Sequence, residues 1–333
     1  MISTGTTTIN STEYKSTLIF QKNTVGVEAP NFFNMNIGEK FPGGVHGVFD
    51  FVSSQEKVFV DLATSFYHLY HDHIGEFLHQ YEKTPNAKFL INITDVEHMN
   101  PLPENIRFFF KFLNDNNVDY QPIDLKKNNK FNINNFYYRN TQSESLEINN
   151  PSPKIYNMSQ QYVKDKSAVA DKKVFVSRKN FQDRDLSLLL KGRLPHQNDN
   201  RIDDEARLQE YVKTLGFEVV VPEDFKTFEE QINYFYTVKT IMSTTSSGFT
   251  NACFMRPGST MIELTTPLIA FTSYGDGVLS KQSSAVEEIH HFYHLMASSM
   301  GHKYISIPNR NRSVEEIINF IEEDPALKNF MLQ

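Results

Sequence analysis

The chain has 333 residues, a formal net charge of −7 and a single cysteine, Cys253. This length predicts two domains, and the lone cysteine excludes an intrachain disulfide. The acidic charge predicts no nucleic-acid partner, and no run approaches the roughly 20 apolar residues of a membrane span, so we expect a cytoplasmic protein.

The first half of the chain begins with a polar segment and then alternates strands and helices. Residues 1–50 are rich in Thr, Asn and Gly and predict an irregular or hairpin-like start. Hydrophobic periodicity predicts strand 56–62, helix 66–81, strand 88–93, helix 103–116 and strands 118–125 and 130–139. The polar segment 141–154 contains Pro151 and Pro153 and predicts a linker.

The second half repeats this alternation. It predicts strand 172–178, loop 179–202, helix 202–216, strand 217–224, helix 227–239, strand 240–247, short helix 248–255, strand 259–266, helix 285–301, strand 303–308 and helix 313–323. Strands that alternate with helices indicate parallel βαβ units, so the predicted class is α/β with two open, doubly wound halves. In such sheets, ligands bind at the carboxyl ends of the strands.

The segment SFYHLYHDHIGEFL, residues 65–78, leaves three interpretations open. The first is a metal-dependent hydrolase that uses the cluster His68, His71, Asp72 and His73. The second is an amphipathic helix with solvent-facing histidines and a buried apolar face made of Phe66, Leu69, Tyr70, Ile74 and Phe77. The third is acid–base chemistry, in which Asp72 takes a proton from a hydroxyl group and His68 orients it or acts as the alternative base.

A basic segment, residues 172–201, stands out in the acidic chain. Arg178 ends a predicted strand, where its guanidinium group could bind a phosphate or carboxylate ligand. The alternative is a salt bridge between Arg178 and an acid in the loop that follows.

The segment TIMSTTSSGFTNACFMRPGSTMIEL, residues 240–264, carries the strongest local signal. A strand ends in small hydroxyl residues and a glycine, and a short helix then begins: Thr245, Ser246, Ser247 and Gly248. Hydroxyl groups and free N–H groups at a helix start favour a phosphate, so we predict an anion site. Glu263, at the end of the next strand, is a candidate ligand for ribose hydroxyls.

These pieces, in this order, resemble glycosyltransferase family 61. The resemblance covers about residues 174–264 and rests on FVSR, NRIDDEARL, GFEVVVPED, the EQ pair of helix 227–239 and SSGFTNACFMRPGSTMIEL. In the first half, Tyr67, His68 and Asp72 resemble the family's aromatic-aromatic-His-x-x-x-acid helix. Two positions depart from the family pattern: Thr245 replaces a histidine and Asp204 replaces an asparagine.

The resemblance implies a GT-B fold, with two Rossmann-like domains of mostly parallel sheets that face a central cleft. We expect an acceptor domain at 1–150 and a nucleotide-sugar domain at 151–312. The helices of 313–333 would pack back on the N-terminal domain.

The resemblance also implies inverting transfer from a UDP-sugar, commonly of xylose or N-acetylglucosamine, to a glycan, glycoprotein or glycolipid. Asp72, with His68, would activate the acceptor, and no metal or other cofactor is expected. Arg178 and Arg201 would neutralise the diphosphate, which would lie on the turn that Thr250 and Asn251 fix. Without a signal or anchor, we expect a bacterial or viral enzyme, cytosolic in the host if viral. A non-catalytic module that binds glycans or nucleotides is the alternative.

Overall fold

The computed structural model contains two compact units, Met1–Ile155 and Tyr156–Gln333. Both combine helices with a sheet that contains parallel strands, which confirms the α/β class. The residues that the structure describes are 3–9, 12–18, 51–53, 57–62, 66, 68–93, 102–123, 138–139, 151–177, 202–265, 291–309 and 313–333.

The first unit begins with the antiparallel hairpin β1 (Ser3–Ile9) and β2 (Thr12–Leu18), as the hairpin-like start predicts. Its five-stranded sheet consists of β3 (Phe51–Ser53), β4 (Lys57–Asp61), β5 (Lys88–Asn92), β6 (Tyr120–Ile123) and β7 (Tyr138–Arg139). The strand order is β6-β5-β4-β3-β7, in which β4, β5 and β6 run parallel and β3 is antiparallel to both of its neighbours. The rest of the predicted strand 130–139 lies outside the described residues.

An aromatic core joins this sheet to its helices. Residues His68–Ile74 are π-helical and continue directly into the α-helix α1 (Gly75–Lys83), and α2 spans Glu104–Asp115. The fully buried Phe77 ring makes T-shaped contacts with Phe89 of β5 and Phe109 of α2. Such edge-to-face pairs are favourable beyond the apolar area that they bury.

The predicted linker 141–154 is wrong at its end, because Ser152–Ser159 form the helix α3. Proline is tolerated in the first turn of a helix, where its missing N–H group needs no partner. Pro151 packs closely on Gly75, where a Cβ atom would come within 2.4 Å of the proline Cβ. Only glycine permits this approach at the junction of the π-helical segment and α1.

The second unit contains a fully parallel five-stranded sheet. Its strands are β8 (Lys172–Val176), β9 (Glu218–Val220), β10 (Val238–Thr244), β11 (Thr260–Thr265) and β12 (Lys303–Pro308), in the order β12-β11-β10-β8-β9. All four neighbouring pairs are parallel. Numbered within the unit, this is the doubly wound order 2-1-3-4-5, which reverses between β8 and β10.

The structure describes five α-helices that lie wholly within the second unit. They are α4 (Glu205–Thr214), α5 (Phe228–Tyr236), α6 (His291–Ser299), α7 (Val314–Glu323) and α8 (Pro325–Leu332). The side chains of Asp204, Thr227 and Asp324 accept hydrogen bonds from the first turns of α4, α5 and α8. Gly216 has a φ of 84° after α4, a conformation that favours glycine.

One face of this sheet packs against α4, α7 and α8. The core residues include Phe175, Leu208, Val212, Met242, Ile262, Leu264, Ile317, Ile321 and Met331. The packing of residues 313–333 on the N-terminal domain stays a prediction; in the structure these residues belong to the second unit and bury side chains in its core. The Lys173 ammonium group holds them there, since it donates hydrogen bonds to the carbonyl oxygens of Leu215 and Met331.

None of the helices described is long and apolar enough to cross a membrane.

Candidate functional site

Two neighbouring strands of the second sheet, β8 and β10, end side by side where the strand order reverses. From β8 the chain continues to β9 on one side, and from β10 it continues to β11 on the other. The two connections therefore leave the central strands in opposite directions. In doubly wound sheets of this order, ligands bind at this reversal.

Residues 245–248 turn the chain away from β10, and a 3₁₀-helix then spans Ser247–Phe254, as the predicted short helix requires. Ser246 is extended, with φ −160° and ψ 161°, and within the described part of the chain its side chain caps none of the helix N–H groups. Ser247 is exposed and Gly248 is half-buried. The first N–H groups of a helix lack partners inside the helix and are suited to an anion.

The turn lies against β8 at close range. A Cβ atom on Gly248 would come within 2.8 Å of Cγ1 of Val176, so only glycine fits there without a shift of its neighbour. The Ser243 hydroxyl donates a hydrogen bond to the Val176 carbonyl oxygen at 3.1 Å, and it lies 3.4 Å from the Ser246 hydroxyl. These contacts join the end of β8 to the turn.

Beyond β8, two motifs that are distant in the sequence meet. The Ser177 hydroxyl donates a hydrogen bond to Oε1 of Glu205 at 2.6 Å, and Gln209 donates to both groups. Ser177 belongs to the FVSR segment and Glu205 to NRIDDEARL. The arginines predicted to bind the diphosphate, Arg178 and Arg201, lie outside the described residues.

Asp204, which replaces the asparagine of the family pattern, has a structural role here. Its side chain accepts a hydrogen bond from the Arg207 N–H group at 3.0 Å and caps α4. Asparagine and aspartate cap helices about equally well. The replacement therefore preserves the cap that places Glu205 at the start of the helix.

Two predicted turn residues, Thr250 and Asn251, are fully buried. Asn251 donates a hydrogen bond to the Gly248 carbonyl oxygen at 2.8 Å and accepts one from Gln231 of α5. It thus fixes the turn from beneath. The Thr250 hydroxyl has no hydrogen-bond partner among the described residues.

Glu263, the residue predicted to contact a ribose, is fully buried in the structure. Its two carboxylate oxygens accept hydrogen bonds from protein hydroxyls: Thr245 donates to Oε1 at 2.6 Å and Tyr304 donates to Oε2. Burial, together with the neighbouring carboxylate, raises the pKa of the Tyr304 hydroxyl above its ordinary value. The Thr245 hydroxyl, expected near the diphosphate, is therefore turned to the interior.

Sequence reasoning missed two tyrosines beside the turn. Tyr304 of β12 binds Glu263, and the hydroxyl of Tyr293 in α6 donates a hydrogen bond to the Ser246 carbonyl oxygen. The Tyr293 ring also packs on Phe249, with ring centroids 5.0 Å apart. The signal that could have revealed Tyr304 is the strand period, because it stands two residues before Ser306, the register partner of Glu263.

The candidate base lies in the first unit. The backbone of His68 and Asp72 belongs to the π-helical segment, a rare geometry that is frequent at functional sites. Their side chains, and Tyr67, lie outside what the structure describes. The interpretation of the histidines as solvent-facing is wrong for His71 and His73, which are 1% and 2% exposed.

Across the described ranges, no three His, Cys, Asp or Glu residues form a group that could hold a metal ion.

A comparison with known protein families finds one family whose model covers parts of both units. The family model for Glycosyltransferase 61 matches residues 66–262, a range that starts at the π-helical segment and ends in β11. No curated protein matches the chain with significance.

Replacing Gly248 by alanine should destabilise the second unit, because the new Cβ atom would meet Val176. Val176→Ala removes the clashing Cγ1 atom. The double variant should therefore lose less free energy of unfolding than the two single variants lose in sum. We expect a favourable coupling of about 1 kcal/mol in a double-mutant cycle. Urea unfolding of the four proteins measures it, and strict additivity would contradict the close approach.

A second prediction concerns His302, whose ring Nε2 lies 3.3 Å from the Ala252 carbonyl oxygen of the 3₁₀-helix. Burial lowers the pKa of His302, so the unfolded chain, in which histidine titrates near about pH 6.5, takes up the proton first. The free energy of unfolding should therefore fall as the pH drops from 7 to 5. His302→Gln should show a weaker fall in urea unfolding; equal falls in both proteins would contradict this role.

Proposed function

The chain belongs to glycosyltransferase family 61, and from that premise we propose that it transfers a sugar from a UDP-sugar to a glycan hydroxyl group, with inversion at the anomeric carbon. The family membership supports the transferase class and implies a sugar donor and a glycan acceptor. The observation that carries the donor half of the proposal is the turn 245–248, which lies on Val176 at the reversal of the strand order. Xylose and N-acetylglucosamine are the sugars that we propose first.

The diphosphate would bind over the exposed side of this turn. The N–H groups at the start of the 3₁₀-helix would donate hydrogen bonds to its oxygens, and Gly248 leaves room for a close approach. Arg178 follows directly on Ser177, which Glu205 holds in place, and we propose that its guanidinium group neutralises the leaving diphosphate, assisted by Arg201. With these cations and N–H groups, the proposal needs no metal ion.

The acceptor would be activated by the first unit. The Asp72 carboxylate takes the proton of the acceptor hydroxyl while the acceptor oxygen bonds to the anomeric carbon. The bond from that carbon to the diphosphate oxygen breaks on the opposite face, so UDP leaves and the configuration inverts. His68, the first residue of the π-helical segment, orients the carboxylate or replaces it as the base.

The nucleotide preference and the role of Arg178 can be tested together. A thermal-shift screen of UDP-, GDP- and CMP-sugars should give stabilisation by UDP-sugars, since a ligand that binds the folded state raises the melting temperature. Arg178→Ala should weaken UDP binding by about 10- to 100-fold in calorimetry, the effect of one lost charge-assisted contact.

The matched control is Arg107→Ala, which removes an exposed arginine that pairs with Glu104 in the first unit. It should leave the affinity for UDP unchanged. Equal affinity in wild type and Arg178→Ala would contradict the role of Arg178. If the protein binds UDP but neither transfers a sugar from any donor nor slowly hydrolyses one, this result would favour a non-catalytic binding module.

Asp72→Asn should lower turnover by about 10²- to 10⁴-fold, because the amide cannot take a proton from the acceptor. The affinity for UDP should stay the same, since the diphosphate site belongs to the second unit. Asp115→Asn, at an exposed position of α2 where Asp115 pairs with Lys111, is the control and should keep full turnover. A folded Asp72→Asn variant with near-normal turnover would remove Asp72 from the role of base.

A further inference from the structure

We propose that Glu263 and Tyr304 are positioning residues that hold the turn 245–248 in its ligand-binding shape through the hydroxyl of Thr245. This inference rests on the proposed function, because it takes the turn as the diphosphate site. It assigns to three buried residues a role that differs from direct contact with the nucleotide.

The three residues lie on three neighbouring strands or at their ends. Glu263 on β11 has Ser243 of β10 and Ser306 of β12 as its register partners. Side chains alternate along a strand, so Tyr304, two residues before Ser306, shares the face of Glu263. Thr245 directly follows β10, and its N–H group donates to the Leu264 carbonyl oxygen at 3.2 Å. The Glu263 carboxylate therefore links Tyr304 of β12 to Thr245, the first residue of the turn.

The geometry of the carboxylate makes it a directional link. Oε1 accepts the Thr245 hydroxyl at 2.6 Å, and Oε2 accepts the Tyr304 hydroxyl. Glu263 is 0% exposed and Thr245 is 5% exposed, so solvent does not replace either bond readily. Hydrogen bonds to a carboxylate are shorter and stronger than those between neutral groups. Loss of the Tyr304 hydroxyl would remove one of the hydrogen bonds that orient the carboxylate and would let it rotate away from Thr245.

Two further hydrogen bonds hold backbone carbonyl groups of the turn. The Tyr293 hydroxyl of α6 donates to the Ser246 carbonyl oxygen, while the Asn251 side chain donates to that of Gly248. The Phe249 N–H group also donates to the Ser246 carbonyl oxygen, so that carbonyl is held by two donors and the Ser247 N–H group of the same peptide points to the opposite side. Donors that are fixed before the ligand arrives need no reorganisation when it binds. Thr245 is the one anchor of the turn that depends on a carboxylate.

The test combines binding with amide exchange in the unliganded protein. Tyr304→Phe and Thr245→Val should each weaken UDP binding in calorimetry by about tenfold. The double variant should be no weaker than either single one, because both changes break the same link. Thr245→Ser keeps the hydroxyl and should retain the wild-type affinity. Without UDP, amides 245–249 should exchange about tenfold faster in Tyr304→Phe and Thr245→Val.

Tyr211→Phe is the matched control, because it also removes a tyrosine hydroxyl that donates to a glutamate, Glu322, in the same unit. It should change neither the affinity for UDP nor the exchange of the turn. If Tyr304→Phe does not fold, the comparison of Thr245→Val with Thr245→Ser decides by the same two measurements.

Three outcomes would overturn the inference. One is unchanged exchange in the turn of Tyr304→Phe. Another is weaker binding in Thr245→Val with normal binding in Tyr304→Phe, which would make Thr245 a direct ligand contact. The third is additive effects in the double variant. A wild-type protein that does not bind UDP would instead overturn the proposed function, and the exchange of amides 245–249 would still decide whether the link holds the turn.

Discussion

The parallel pairing of β8 with β10 is the constraint on which the candidate site depends. Since β9 lies outside β8 and β11 lies outside β10, the connections that leave the two central strands run in opposite directions. The strand order therefore reverses at this pair, and the turn 245–248 and Ser177 follow directly on its two strands. The 2.8 Å approach that a Cβ atom on Gly248 would make to Val176 shows how closely the two sides pack.

The polar residues of this region divide into two groups by burial. Thr245, Thr250, Asn251 and Glu263 lie in the interior; Thr245 and Glu263 bind each other there, and Asn251 binds the turn. Ser247 is exposed and Gly248 is half-buried. A nucleotide would thus meet mainly backbone N–H groups, and the hydroxyl and carboxylate groups would support them. Under the proposed function, this division would let backbone groups bind the diphosphate although Thr245 replaces a histidine of the family pattern.

The sequence was sufficient for local structure and insufficient for contacts between strands. Strand β10 and the turn could be predicted because an apolar run ends in small hydroxyl residues, and α4 could be predicted because Asp204 and Gly216 are strong capping residues. The burial of Glu263 could not be predicted in this way. It depends on Tyr304, which lies 41 positions later in the sequence and becomes a neighbour only through the order of the strands.

The same limit applies in the first unit. Helical periodicity correctly predicts the burial of Leu69, Tyr70, Ile74 and Phe77. It does not predict that His68–Ile74 is π-helical, since a wider turn changes which side chains share a face. The burial of His71 and His73 follows from that geometry and from packing, and not from their polarity. The helix α3 was hidden for a related reason, because prolines mark linkers and first helical turns alike.

The most direct test of the central claim is a crystal structure of the whole chain with UDP. The account predicts that a phosphate oxygen lies about 3 Å from the N–H groups at the start of the 3₁₀-helix, at Ser247 or Gly248. It also predicts that Glu263 keeps its hydrogen bonds to Thr245 and Tyr304 in that complex. A diphosphate bound away from the turn, or a ribose in contact with Glu263, would contradict it.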